Sequence, residues 1–182
     1  MRVFDLDVFR KSVEKMRFGR EYGAEEMWGN YEYFVKKILP VCEDSGVRMA
    51  VHPDDPPVES MGGVPRLFYN LEGHMRALEI ANSPVWGINM WLGNWQAMGI
   101  DLDHAINTLG GEKIFMGHVQ AVTGTVPKFQ EAFLDLGDCD FLSVVRSLNK
   151  AGSNAHLAPA HWPRIVGDEG FRQGNAFDLG YM

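Results

Sequence analysis

Apolar residues recur along the chain in two alternating rhythms. Met27, Tyr31, Phe34, Val35, Ile38 and Cys42 repeat at helical spacing behind an acidic opening turn, Ala24-Glu25-Glu26, which the positive end of a helix dipole favours. This predicts an amphipathic helix bent at Pro40 and closed by Gly46, a residue free to turn left-handed. Val47 to His52 then reads as a short buried strand stopped by Pro53. The same order returns three times. Leu71, Met75, Leu78 and Ala81 mark a second helical face before Val85 to Trp91, a run almost wholly apolar, as a parallel strand covered on both faces requires. Leu102, Ala105, Ile106 and Leu109 mark a third, ended by Gly110-Gly111, before the strand Lys113 to His118. Phe141, Val144, Val145 and Leu148 mark a fourth, ended by Gly152, before His156 to His161.

Strict alternation of helix and strand implies parallel strands joined by right-handed crossovers, an α/β fold that a (β/α) barrel would satisfy. About four βα units are visible, and a closed eight-stranded barrel takes about 250 residues. The 182 residues therefore make a single domain over 1–182 that is half of such a barrel or a partial one, with residues 1–22 as an irregular N-terminal segment. The alternative with the same elements is an open doubly wound sheet. Its nucleotide-binding version has no support, because the chain holds neither GxGxxG nor GxxxxGK[ST].

Composition narrows the partners. With 46% apolar and 23% charged residues the chain is globular. Lys plus Arg is 17 against 24 Asp plus Glu, a net charge of −7, which argues against nucleic acid or an anionic membrane surface. No run approaches the roughly 18 apolar residues of a membrane span. The opening Met-Arg-Val-Phe-Asp-Leu-Asp carries acid where a signal peptide needs an apolar run. Two cysteines, Cys42 and Cys139, form neither a disulfide framework nor a metal knuckle and suit the reducing cytoplasm.

In parallel α/β folds substrates meet the C-terminal ends of the strands. Those positions are His52, Trp91, His118 and His161, so three of six histidines end three different strands. Imidazole suits both metal ligation and proton transfer; the plainer alternative is three polar caps. His74, His104 and His156 lie on helix faces or at a strand start and are structural or solvated. His52 opens His52-Pro53-Asp54-Asp55-Pro56-Pro57, where prolines stiffen a loop that holds Asp54 and Asp55 beside an imidazole. Gln120 to Gly137 reads as a long loop, either a lid whose Lys128 meets a substrate carboxylate or a surface excursion. Arg164, after His161-Trp162-Pro163, is either a carboxylate clamp or an exposed loop arginine.

These strings, with Gly62-Gly63-Val64-Pro65-Arg66, the Phe115 to His118 strand end and Val126-Pro127-Lys128-Phe129-Gln130-Glu131, resemble the mannonate dehydratases from about Glu25 to Met182. The resemblance implies a TIM barrel of the xylose-isomerase-like group and a carbon–oxygen lyase. Such an enzyme removes water from D-mannonate to give 2-keto-3-deoxy-D-gluconate in hexuronate (glucuronate) catabolism, with Mn²⁺ or Fe²⁺. It implies that His52 and His118 are metal ligands and that His161 is the catalytic acid/base. A divalent ion would there neutralise the enediolate as it forms.

Two departures stand out. The family's cysteine ligand falls where this chain has Trp91, and its aspartate ligand where this chain has Ala160. Both lost groups are anionic, so metal affinity falls unless Asp54, Asn89 or Glu131 substitutes. The family's acid/base tyrosine has no counterpart in Arg172-Gln173-Gly174-Asn175, and its arginine near Gln120 is also missing. Two alternatives therefore stand beside the lyase: a sugar isomerase or epimerase of the same barrel group, and a degenerate or truncated homologue. A half barrel also leaves two strand edges uncovered, which favours a homo-oligomer or a missing N-terminal barrel half as partner.

Overall fold

The computed structural model describes residues 2–13, 15–162 and 165–182. Four strands, β2 (Met49–Val51), β5 (Trp86–Trp91), β6 (Ile114–Val119) and β9 (His156–Pro159), form one parallel sheet in the order β2-β5-β6-β9. Each is preceded by a helix: α2 (Ala24–Ser45), α3 (Leu71–Ala81), α5 (Leu102–Leu109) and α6 (Phe141–Lys150). This is the partial (β/α) barrel expected, its four units in the expected order.

Local chemistry sets the boundaries. Helix α2 starts with Glu25 and Glu26 in its first turn, continues through Pro40, and ends where Gly46 at φ 66° sends its N–H back to the carbonyls of Cys42 and Glu43. Asn70, Asp101 and Asp140 cap α3, α5 and α6 by accepting backbone N–H bonds at their first turns. β5 is buried along its whole length, as a central parallel strand must be. Trp95, Ile88 and Ile106 each have 0% exposure, and a large aliphatic chain so buried contributes about 1.5–3 kcal/mol.

The helix faces are narrower than their periodicity suggests. Met75, Val145 and Phe34 are exposed at 37%, 46% and 49%, because one stripe of each helix meets the sheet and these lie at its margin. In α2 the buried residues are Trp28, Val35 and Cys42.

Three parts differ from expectation. Residues 1–22, read as irregular, hold β1 (Val3–Asp5) and helix α1 (Leu6–Ser12), capped by the Asp5 carboxylate. Gln120 to Gly137, read as a lid or surface loop, is a hairpin of β7 (Ala121–Thr125) and β8 (Lys128–Ala132), to which β1 adds a third antiparallel strand in the order β1-β8-β7. A small hairpin, β3 (Ser60–Met61) with β4 (Val64–Pro65), turns on Gly62 and Gly63 at φ 62° and 81°. A two-residue turn with both φ values positive selects glycine. The short helix α4 (Leu92–Ala97) follows β5 without a break, and α7 (Arg172–Tyr181) closes the chain. Among the described residues no helix is long and apolar enough to cross a membrane.

Candidate active site

The parallel register brings the strand ends together. Trp91 of β5 pairs with His118 of β6, and His118 pairs with Ala158 of β9. His52 follows β2 directly, so its ring lies 5.7 Å from that of His118 and 5.3 Å from the Trp91 indole, centroid to centroid. The same indole lies 4.6 Å from the His161 ring, centroid to centroid. His161 stands two residues beyond β9 at φ 53°, a left-handed backbone that costs a non-glycine residue about 1–2 kcal/mol and is found mostly where function or packing demands it.

The antiparallel sheet supplies the polar wall. Glu131 of β8 is buried, and its Oε1 lies 3.2 Å from His161 Nδ1. The same oxygen accepts from Gln120 Nε2 at 3.2 Å, and Oε2 accepts the Arg2 backbone N–H at 3.1 Å. Burial alone would raise the Glu131 pKa, but the bonds from His161 and Arg2 outweigh it and hold the carboxyl below its ordinary range. The Arg2 guanidinium approaches His161 Nδ1 at 3.3 Å. Arg2, Asp55, Trp91, Gln120, Glu131 and His161 share the lining of a cavity of about 210 Å³. Asp55 has its pKa raised by desolvation there, with Glu131 adding to the rise and His161, Arg2 and Arg66 opposing it. Burial lowers the His118 pKa, and the neighbouring His52 and His161 push it the same way.

The two aspartates of the proline-rich loop separate in role. Asp54 makes an ion pair with Arg66 at 2.9 Å and accepts the Phe68 N–H at 2.7 Å, which pins the loop; Asp55 alone faces the cavity. Lys128 is exposed on the hairpin, paired with Asp5 at 3.3 Å, and does not line the cavity. Arg164 lies outside the described residues. His74 is fully buried, whereas His104 and His156 are exposed.

The donors do not add up to a complete Mn²⁺ or Fe²⁺ centre. His52 and His118 are neighbours, but His52 Nδ1 is bonded to the Pro53 carbonyl at 2.8 Å, leaving one nitrogen for a ligand. Beside them stands the Trp91 indole, and Ala160 follows β9 one residue before His161; neither side chain donates to a metal. Asn89 Oδ1 is a buried oxygen without a partner next to His118, a neutral donor at best. Among the described residues no group of three or more His, Cys, Asp and Glu side chains converges.

The model of the D-mannonate dehydratase (UxuA) family matches residues 4–178. The chain belongs to this family. It is 36% identical over 170 residues to a mannonate dehydratase of Streptococcus suis, an alignment that takes in 91% of this chain and 46% of that protein. With mannonate dehydratase 2 of Halalkalibacterium halodurans the identity is 33% over 156 residues, 83% of this chain and 45% of the other. The chain thus spans about half the length of the curated relatives it matches. The crystal structure of mannonate dehydratase from S. suis serotype 2 superposes with a TM-score of 0.76 at 31% identity, over 96% of this chain and 49% of that one. A xylose isomerase-like TIM barrel protein from Mycobacterium smegmatis, solved in complex with magnesium, superposes at TM-score 0.63 over 92% of this chain and 52% of its own, with 10% identity. That second likeness shows the fold alone, a TIM barrel of the xylose isomerase-like kind.

Two residues of the site escape a reading by strand ends, Arg2 and Glu131, since they arrive on β1 and β8 of the other sheet. One signal was available. Glu131 is an acid set among Phe129, Ala132, Phe133 and Leu134, and an acid in an apolar setting is buried only when partnered.

Proposed function

We propose that this chain removes water from a sugar acid of the D-mannonate type to give 2-keto-3-deoxy-D-gluconate, as a carbon–oxygen lyase of hexuronate breakdown. The observation that carries this reading is the His161–Glu131 contact of 3.2 Å at the wall of the cavity, in a chain of the mannonate dehydratase family. Dehydration moves one proton off the carbon next to the carboxylate and one onto the departing β-hydroxyl. His161, the imidazole at the cavity wall, takes the first. Asp55, on the same cavity wall and with its pKa raised by burial, gives the second. Arg2, with its side chain 70% exposed, offers a guanidinium to the substrate carboxylate. The two unpaired cysteines suit the cytoplasm, where such breakdown runs. Four parallel strands make half of an eight-stranded ring, and we assign the other half to a second copy of this chain or to an N-terminal barrel half.

The test is a dehydration assay on D-mannonate, with and without added Mn²⁺. Turnover is expected in the parent and a loss of about 10²- to 10⁴-fold in His161→Gln, the usual worth of a positioned acid/base. Absence of keto-acid product under both conditions would sink the reading. A second reading, a family member with metal-dependent turnover lost, is favoured by one observation: an indole and a methyl at the two positions where the resemblance places anionic ligands. Product formed only after those ligands are restored would decide for it.

A further inference from the structure

Glu131 accepts hydrogen bonds from three directions, through Gln120, the Arg2 backbone and His161. An ionised carboxylate can only accept. Its Oε1, 3.2 Å from His161 Nδ1, therefore needs a proton on that nitrogen; a lone pair there would face a buried negative charge. The Arg2 guanidinium, 3.3 Å from the same Nδ1, can only donate and makes the opposite demand. One nitrogen cannot satisfy both. Exposure decides between them: the Arg2 side chain is 70% exposed and the Glu131 side chain 11%. Water satisfies an exposed guanidinium at little cost, whereas solvent does not make good a bond lost at a buried carboxylate.

We propose that Glu131 is the positioning residue of the acid/base centre, holding a proton on Nδ1 of His161 in both its neutral and its cationic form. Proton exchange is then confined to Nε2, the atom on the far side of the ring from Glu131. The same choice leaves the Arg2 guanidinium, ion-paired with Glu131 Oε1 at 3.9 Å and largely exposed, without an acceptor on the ring. The consequence for catalysis rests on the reading of His161 as the acid/base group, whereas the protonation state itself is measurable in the free protein.

Long-range ¹H–¹⁵N correlation spectra of the histidine rings in the intact chain, with His161 neutral and assigned by its loss in His161→Gln, supply the test. A free imidazole prefers the proton on Nε2, and the expected result is the reverse, Nδ1–H with Nε2 bare. Glu131→Ala should move the ratio back towards Nε2–H by roughly tenfold or more. Glu131→Gln, which keeps an acceptor oxygen, should hold Nδ1–H. Should the alanine variant fail to fold, Glu131→Met, of nearly the same volume, replaces it. Nε2–H in the parent chain would overturn the proposal whatever the variants do, and so would Nδ1–H that persists in the alanine or methionine variant, where no acceptor oxygen remains. If Nδ1–H is found but no dehydration is detected, the functional reading falls and the positioning role stands.

Discussion

A single side chain, Trp91, governs what the cluster of histidines can do. Its indole touches both His52 and His161, and it stands where the family resemblance puts a thiolate. Ala160, beside His161, removes the second anion. Two imidazoles remain, and two neutral donors hold a divalent ion loosely. Restoring both ligands tests this directly: Trp91→Cys with Ala160→Asp should raise Mn²⁺ affinity by at least 10- to 100-fold, the amount that changes in outer-sphere partners alone produce. Calorimetric titration of the purified variant against the parent reads the difference, and equal affinities would show that another donor already completes the site. The histidines themselves were legible in the sequence, because each follows an apolar strand and the barrel geometry makes strand ends converge. Arg2 was not, and Glu131 was named only as a stand-in metal ligand, because 129 positions separate them and only pairing of β1 with β8 brings them together.

At the scale of elements, helical periodicity and capping residues identify α2, α3, α5 and α6 and the strands between them. They fail at the β7–β8 hairpin. There Gly124 and Val126-Pro127 mark turns, but the strands are short and their third partner comes from the start of the chain, a long-range pairing that no local pattern displays. Helix α3 carries a measurable consequence. His74 is fully buried against Trp95, and its Nδ1 must hold the proton because it meets the Asn70 carbonyl at 2.7 Å. Its Nε2 has no partner, so protonation would place an unpaired cation in the core. Burial accordingly depresses its pKa to about 4 from the ordinary 6.5. The unfolded chain binds this proton first. The stability due to a neutral His74 is thus complete above about pH 6.5 and is lost as pH falls towards 4, on the order of 3 kcal/mol in all. Asp178, buried with both carboxylate oxygens unpartnered and its pKa pushed up to about 6, acts in the opposite sense over the same range. The expected signature is therefore in the difference: urea unfolding of parent and His74→Leu between pH 4 and 7 should show the parent losing stability relative to the variant as acid is added.

For the whole molecule, the deciding feature is a parallel sheet with two free margins. β2 and β9 each pair with one neighbour only among the described strands, and the solved relatives that superpose on this chain are about twice its length. Exposed parallel edges are templates for further pairing. Light scattering on the purified chain should give twice the monomer mass if a second copy fills the gap; a stable monomer would point instead to a separate barrel half or to edges shielded in place. The two margins also have a consequence in symmetry. Strands that all run the same way can join β9 of one copy to β2 of another, and the return contact is the same one, so a two-fold axis along the barrel would close eight strands with one interface used twice. Every strand end would then open on a single mouth, and that mouth would carry each histidine in duplicate, a geometry in which donors missing from one copy could be met by the other.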